Sequence, residues 1–356
     1  MIGARLKLAR AAADLSLRQL ATAIDGLVTA QAIGKYERDE AMPGSRVLLA
    51  LAGALGVSAD YLLSPADVTL EGVDFRKKST ASKREEAQVS ATVLSRVEHY
   101  LFIESCLGLD SASWDRPKHA PFPVRTIAEA DQAAMEVRIA WLLGRDPIPH
   151  MVELLEEHGL KVICEPLADT IDGMTAYVRR SDGVRLPVIV VNASHTGERQ
   201  RFTLAHELAH IVMAPTGLSE AEVEKAAHRF AGAFLMPAEI LWAEMGRSRS
   251  SISLGELFTL KALLGVSVQA LTYRCKDLDL FGSALFKRLF DEFKRQGWRD
   301  PPYIEPQAVA HERAQRLARL CYRAVEEELV SEARAAEALG ISVRELDRRM
   351  SAPWEN

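Results

Sequence analysis

Two histidines four residues apart, His206 and His210, constrain this chain more than any other feature of its sequence. The surrounding segment is apolar with helical periodicity, and a helix places side chains at i and i+4 on one face, one turn apart. Two imidazoles in this arrangement can bind one ion, and Glu207 lies between them. The sequence therefore predicts a helix at about residues 198–214 that holds two metal donors and a carboxylate.

The next predicted helix, residues 219–235, is expected to supply a third donor. Imidazoles with one carboxylate suit zinc, and a catalytic zinc site needs three protein ligands and an open position. Glu224 is the preferred ligand. Two small residues on the same helix face, Ala227 and Ala231, allow this helix to approach the histidine helix closely. His228 is the alternative ligand or a partner of the ligands.

Short strands are expected upstream of this helix pair, and helices are expected over most of the remaining chain. Five short helices within residues 3–63 form a compact unit, followed by a polar linker at 66–90 and a helix at about 88–108. Strands are predicted at 161–164, 173–178 and 187–192. Further helices are predicted at 125–145, 147–158, 253–264, 267–274, 283–296, 308–329, 331–338 and 342–349.

Composition and charge narrow the class of protein. The 48% apolar and 26% charged residues are typical of globular domains, and the net charge of −5 means that any DNA contact must use a local patch. The four cysteines are widely spaced, which argues against a disulfide framework. The first residues lack the pattern of a signal peptide, and no apolar run is long enough to span a membrane. A cytoplasmic protein without a membrane partner is expected.

Residues 199–210, Arg-Gln-Arg-Phe-Thr-Leu-Ala-His-Glu-Leu-Ala-His, and the segments 224–231 and 234–237 resemble the ImmA/IrrE family of zinc metallopeptidases. The resemblance covers roughly residues 125–280 and implies a minimal zincin core with a short β-sheet and bound Zn²⁺. Family members typically cleave a partner repressor in response to stress or a mobile-element signal. They tend to carry Asn where this chain has His228, whereas Glu224 matches the family pattern.

The expected chemistry is hydrolysis of a peptide bond. Glu207 would act as general base toward a metal-bound water. Zinc or a side chain would stabilise the oxyanion, and the sequence does not choose among the candidate donors Tyr177, His195 and His228.

Residues 4–63 resemble the Xre, or lambda-repressor-like, helix-turn-helix family, through segments such as 16–21 (Ser-Leu-Arg-Gln-Leu-Ala) and 33–38 (Ile-Gly-Lys-Tyr-Glu-Arg). That family places its third helix in the major groove of double-stranded DNA. The residues assigned to DNA by the resemblance are Thr29, Gln31 and Lys35 on base edges, with Arg18, Gln19 and Arg38 at phosphates. Residues 1–65 carry only one net positive charge, so a homodimer is expected to bind the operator. A protein-docking helical module is the alternative interpretation.

The C-terminal region contains two helix-turn-helix-like elements. Leu-Leu-Gly-Val-Ser at 263–267 and Ala-Leu-Gly-Ile-Ser at 338–342 each join two predicted helices, with Gly in the turn and Ser as the cap of the next helix. Arg344, Arg348 and Arg349 offer a second DNA contact, and a packing or dimerisation role fits equally well.

The fold class expected from these patterns is mostly α, with a small α+β zincin-like domain. The expected domains are an Xre-type helix-turn-helix domain (1–66), a linker and helix (67–124), a zinc metallopeptidase domain (125–250) and a C-terminal helical region (251–356). Three functions remain open. The first is a DNA-bound regulator that cleaves a repressor-type or antitoxin-like protein. The second is a non-cleaving regulator whose zincin-like domain senses a ligand or metal, and the third is an antitoxin or phage-defence component.

Overall fold

A computed structural model of the chain describes residues 2–63, 68–77, 83–109, 114–180 and 183–351. Helices account for 56% of the structure and the strands form small sheets, which confirms the expected fold class. The chain divides into two compact units. The first contains residues 1–114, 176–188 and 314–356, and the second contains residues 115–175 and 189–313.

The first unit begins with five short helices, as the sequence predicts. Leu6, Leu20, Ile33 and Leu51 are fully buried in their shared core. Ser16 begins the second helix with a capping box, in which its side chain and that of Gln19 each bind the other residue's backbone N–H. The elements up to residue 106 are α1 (Gly3–Ala12), α2 (Leu17–Ala23), α3 (Ala30–Glu37), α4 (Ser45–Leu55), α5 (Ala59–Leu63), β1 (Val68–Lys77) and α6 (Lys83–Cys106).

The predicted linker at 66–90 is wrong for most of its length. It contains strand β1 and the start of α6, which begins at Lys83 instead of residue 88. A polar segment can form a strand when a neighbouring sheet edge offers partners for its backbone groups, and this pairing has no signal in the side-chain pattern. Residues 66–67 and 78–82 of the predicted linker lie outside the described residues.

Three C-terminal helices complete the first unit: α15 (Arg316–Glu326), α16 (Glu332–Leu339) and α17 (Val343–Ser351). They share a small core with α6, built around Ile103, Cys321 and Leu346. The turn between α16 and α17 has the predicted form, because Gly340 ends α16 at a φ of 66° and the Ser342 side chain accepts a hydrogen bond from Glu345 N–H.

The second unit carries the remaining helices and most of the strands. They are β2 (Phe122–Val124), α7 (Glu129–Ala140), α8 (Met151–Glu157), β3 (Lys161–Glu165), β4 (Ile171–Arg180), β5 (Arg185–Asn192), α9 (Gly197–Val212), β6 (Met213–Pro215), α10 (Glu220–Leu235), α11 (Ala238–Met245), α12 (Leu254–Leu264), α13 (Val268–Asp277) and α14 (Ser283–Arg295). The outer halves of β4 and β5, residues 176–188, belong to the first unit.

All three strands expected from the sequence are present. The main sheet has the order β1-β4-β5-β3. Strand β5 is buried from Leu186 to Asn192, as its β-branched sequence predicts for a strand covered on both faces. A second sheet was not predicted: β2 and β6 pair in parallel, with Phe122 opposite Met213, so α9 ends at Val212.

The helix predicted at 308–329 is wrong in its first eight residues, because α15 begins only at Arg316. Up to residue 313 the preceding segment lies against the start of α9. A Cβ on Gly197 would lie 2.4 Å from the backbone oxygen of Val309, so only glycine fits. Glu312 accepts hydrogen bonds from Met151 N–H at 2.9 Å and Val152 N–H at 3.0 Å. These tertiary partners override the helical pattern of the segment.

Among the described helices, none is by itself long and apolar enough to cross a membrane. Helices α12 and α13 reach the required apolar length only together, and they meet at 94°.

Candidate metal centre and nucleic-acid interface

Helices α9 and α10 pack against each other and bring the three predicted metal ligands together. His206 Nε2 lies 3.1 Å from His210 Nε2 and 3.4 Å from Glu224 Oε2. His210 Nε2 lies 3.5 Å from Glu224 Oε1. The face of α10 behind Glu224 is built from buried small residues, Ala227 and Ala231, as the sequence predicts.

These three side chains form a donor triangle, in which each histidine is nearest to a different Glu224 oxygen, and its dimensions can be compared with those of a zinc site. Ligands bound tetrahedrally at about 2.0–2.1 Å from zinc are separated from one another by about 3.3 Å. The two Nε2 atoms are 3.1 Å apart, and each lies 3.4 or 3.5 Å from one Glu224 oxygen, Oε2 for His206 and Oε1 for His210, which is close to this value. Two imidazoles and a carboxylate also form a donor set that zinc accepts. The residues present therefore fit a zinc ion with three protein ligands.

Glu207 is buried beside this triangle, and a strand residue holds its carboxylate. Thr175 Oγ1, on β4, donates a hydrogen bond to Glu207 Oε2 at 2.7 Å. Gly173 allows β4 and α9 to approach closely, because a Cβ there would lie 2.8 Å from Thr203 Cγ2 and 2.7 Å from the backbone oxygen of Val190. Sequence analysis missed Thr175, since no local pattern relates a strand threonine to a helix carboxylate 32 residues away.

His228 lies next to the donor triangle on α10. Its ring is 4.6 Å from the His206 ring, centroid to centroid, and His228 Nδ1 is 2.7 Å from the backbone oxygen of Glu224. The other two candidate oxyanion donors, His195 and Tyr177, each contact a neighbouring side chain. His195 Nδ1 is 3.7 Å from Asp172 Oδ1, and the Tyr177 ring, in the first unit, lies 4.5 Å from the Arg185 guanidinium carbon.

Buried charges fix the N-terminal half of α9, which positions the motif one turn further on. Arg201 pairs with Glu312 at 2.7 Å, and Lys261 pairs with both Glu198 and Glu305. Burial of Glu198 disfavours its charged form, but hydrogen bonds from Lys261 and Val309 N–H outweigh burial and lower the pKa of Glu198. Sequence analysis missed this network, because its partners are 44 to 111 residues apart.

The residues predicted to contact DNA divide into two groups in the first unit. Arg18, Gln31 and Lys35 are exposed on α2 and α3. The other three are also exposed, but they have local hydrogen bonds. Thr29 caps α3 by accepting from Ala32 N–H, Gln19 takes part in the capping box of α2, and Arg38 pairs with Glu40 at 2.6 Å.

The two C-terminal helix-turn-helix-like elements differ in exposure. In the second unit, α13 is a core helix, with Val268, Leu271 and Cys275 fully buried. In the first unit, α17 buries only Leu346. Arg348 and Arg349 on α17 both bind Glu345, at 2.8 and 2.7 Å, so their charge is partly compensated within the helix.

Comparison with known protein families agrees with this architecture. Residues 155–276 match the M78 peptidase family, described as the IrrE N-terminal-like domain, and residues 6–62 match a helix-turn-helix family. A comparison with curated proteins found no match. The M78 match extends beyond the domain boundary predicted at residue 250, and the second compact unit does the same. The chain thus combines an Xre-like helix-turn-helix domain with an ImmA/IrrE-type metallopeptidase-like domain.

Proposed function

We propose that this protein is a DNA-binding transcriptional regulator whose M78 domain is a zinc-dependent endopeptidase that cleaves a partner protein. The partner is expected to be a repressor-type or antitoxin-like protein, cleaved in response to a stress or mobile-element signal. The donor triangle of His206, His210 and Glu224, with edges of 3.1 to 3.5 Å, is the observation that carries the proposal.

The same geometry distinguishes an enzyme from a metal sensor. Three protein ligands leave one position of a tetrahedral ion open for water or substrate. A sensor that only binds metal needs the ligands but has no use for a buried carboxylate next to them. Glu207 is such a carboxylate, and Thr175 fixes one of its oxygens at 2.7 Å. These two features together favour hydrolysis.

Bound zinc would lower the pKa of a coordinated water and polarise the carbonyl group of the scissile bond. Glu207 would accept the proton of the attacking water through Oε1, while Thr175 holds Oε2. The proton would then pass to the amine nitrogen as the C–N bond breaks. The hydrogen bond from Thr175 prevents the carboxylate from rotating, so the accepting oxygen stays in place for both transfers.

The helix-turn-helix domain would place the peptidase at an operator, as a cytoplasmic homodimer. Gln31 and Lys35 are exposed on α3, the helix that this family inserts in the major groove, and Arg18 is exposed on α2. Because local hydrogen bonds already engage Thr29, Gln19 and Arg38, most of the direct DNA contacts are assigned to Arg18, Gln31 and Lys35.

Cleavage of a proteome-derived peptide library, read by mass spectrometry, tests the enzymatic half. The parent protein loaded with zinc should generate new peptide termini, and Glu207→Gln, which retains all three ligands, should generate none. If both proteins bind zinc and DNA but neither cleaves peptides or candidate repressors, the domain is a non-cleaving sensor. Regulation that survives Glu207→Gln but is lost in His206→Ala would lead to the same conclusion.

A further inference from the structure

The pair Glu224 and His228 on α10 repeats the spacing of His206 and His210 on α9. Each pair is four residues apart, so each presents two donors on one face of its helix. The donor atoms of His206, Glu224 and a ring nitrogen of His228 all lie within 4.8 Å of one another. Glu224 and His228 of α10 thus form one group of potential metal donors with His206 of α9, and His210 lies beside His206 and Glu224.

The hydrogen bond of His228 defines which ring nitrogen can bind a metal. Nδ1 is 2.7 Å from the backbone oxygen of Glu224, and a carbonyl oxygen only accepts hydrogen bonds. Nδ1 therefore carries the proton, and Nε2 carries the lone pair. Metal-binding histidines commonly donate their second ring N–H to a backbone carbonyl in this way.

We propose that His228 is a fourth protein ligand, which closes the coordination shell of the metal in the resting protein. This inference rests on the metal site of the proposed function. A zinc with four protein ligands has no open position, so the resting state would be latent. Because His228 is exposed, its imidazole can leave the shell by rotation of its side chain and let water or substrate take the fourth position.

A small movement also brings His228 into the shell. The 4.8 Å limit for its donor group is wider than the edge of about 3.3 Å expected between tetrahedral zinc ligands. The imidazole would thus have to approach by at most about 1.5 Å, a displacement within the reach of an exposed side chain. A role as oxyanion donor would instead require a second proton on Nε2, and loss of such a donor would leave zinc affinity unchanged.

Zinc affinity and the visible spectrum of the cobalt-substituted protein test the proposal. The full chain, His228→Asn and the matched control His119→Asn are titrated with zinc against a chromophoric chelator. His119 is an exposed histidine with a φ of 72°, a conformation that asparagine adopts readily. We expect His228→Asn to bind one zinc with a dissociation constant raised at least tenfold and to shift the cobalt bands. It should also cleave the peptide library faster than the parent.

Each result separates the two proposals. Equal zinc affinity and identical cobalt spectra for His228→Asn and His119→Asn overturn the role of His228, while the three-ligand site remains. Failure of the parent itself to bind zinc overturns the metal site and the role of His228 together. His228→Gln, which retains a long polar side chain, provides a second variant if His228→Asn loses its helical circular dichroism.

Discussion

Thr175 Oγ1 donates a hydrogen bond across 2.7 Å to Glu207 Oε2, and this contact connects β4 to the Glu207 carboxylate on α9. The Thr175 residue is 4% exposed and Glu207 is 1% exposed, so water competes little for either group. A hydrogen bond to a buried carboxylate contributes about 1.5–3 kcal/mol. In the proposed mechanism, this contact leaves Oε1 of Glu207 to accept the proton.

Thr175→Val should lower peptide cleavage by about tenfold or more, because it removes the hydroxyl while keeping the shape of the side chain. Zinc content should stay near that of the parent, since no metal ligand changes. Thr272→Val is the matched control, because Thr272 is also buried and its hydroxyl donates to the backbone oxygen of Val268. Equal cleavage by both variants would contradict the positioning role of Thr175.

Gly173→Ala should destabilise the second unit by about 1–3 kcal/mol, the usual cost of overpacking a core. The added methyl group would lie 2.7 Å from the backbone oxygen of Val190 and 2.8 Å from Thr203 Cγ2. Gly53→Ala is the contrasting control, since a Cβ there has nothing within 4 Å and alanine favours the helix. Thermal unfolding measures both variants, and a midpoint for Gly173→Ala at or above that of the parent would refute the close approach of β4 and α9.

Stability of the first unit should fall as the pH is lowered from about 6.5 to 4. His99 is 5% exposed, and neither of its ring nitrogens has a hydrogen-bond partner within the described part of the chain. Burial lowers the pKa of His99 from 6.5 to about 4. The unfolded chain therefore binds a proton in this window that the folded chain does not, which costs up to about 3 kcal/mol at the acidic end. The groups that face His99 are Tyr61, Glu337, Arg334, Arg96 and Arg5.

Hydrogen exchange of the full chain at pH 7.5 and pH 5, read by mass spectrometry, measures this effect in α1 and α6. Intrinsic exchange is slower at pH 5, so the rates are expressed as protection factors; these should be smaller at pH 5 than at pH 7.5 in the parent and in His119→Asn. His99→Leu, which cannot titrate, should show a smaller change. A pH dependence in His99→Leu equal to that of the parent would assign the effect to other groups.

Lys35→Ala and Arg18→Ala should weaken DNA binding in different ways. The probe is a duplex that the parent protein selects from a random-sequence library. Loss of a base contact by Lys35 should weaken the binding free energy by about 1–3 kcal/mol and relax sequence preference. Loss of a phosphate contact by Arg18 should reduce by about one the slope of the logarithm of the binding constant against the logarithm of the salt concentration. Lys294→Ala, an exposed site on α14, is the control and should bind as the parent does. Binding unchanged by all three substitutions would assign the DNA interface to another surface.

The parts of the fold that could be predicted are those with a local signal. The periodicity of α1 to α5, the β-branched residues of β5 and the capping residue Ser342 each act within a few residues of the element they define. His206 and His210 lie on one regular helix, and Glu224 lies with Ala227 and Ala231 on another. In each helix the spacing alone therefore brings these residues to one face. For this reason sequence reasoning selected the three donors that the structure brings together.

The parts that could not be predicted depend on distant partners. Strand β1 forms on a sheet edge, and residues 308–313 pack against α9 instead of forming a helix. Thr175 acts on a carboxylate that is far away in sequence. His228 is intermediate: its spacing from Glu224 is visible in the sequence, but its hydrogen bond to the Glu224 carbonyl oxygen requires the structure.

The zinc content of the purified protein shows whether His206, His210 and Glu224 bind one zinc ion, as the proposed peptidase requires. Purified parent protein, His206→Ala and the control His119→Asn are dialysed against metal-free buffer and measured by inductively coupled plasma mass spectrometry. We expect about one zinc per chain in the parent and the control, and almost none in His206→Ala, as this proposal requires. Absence of zinc from all three proteins after zinc is supplied, or equal zinc in all three, would contradict it.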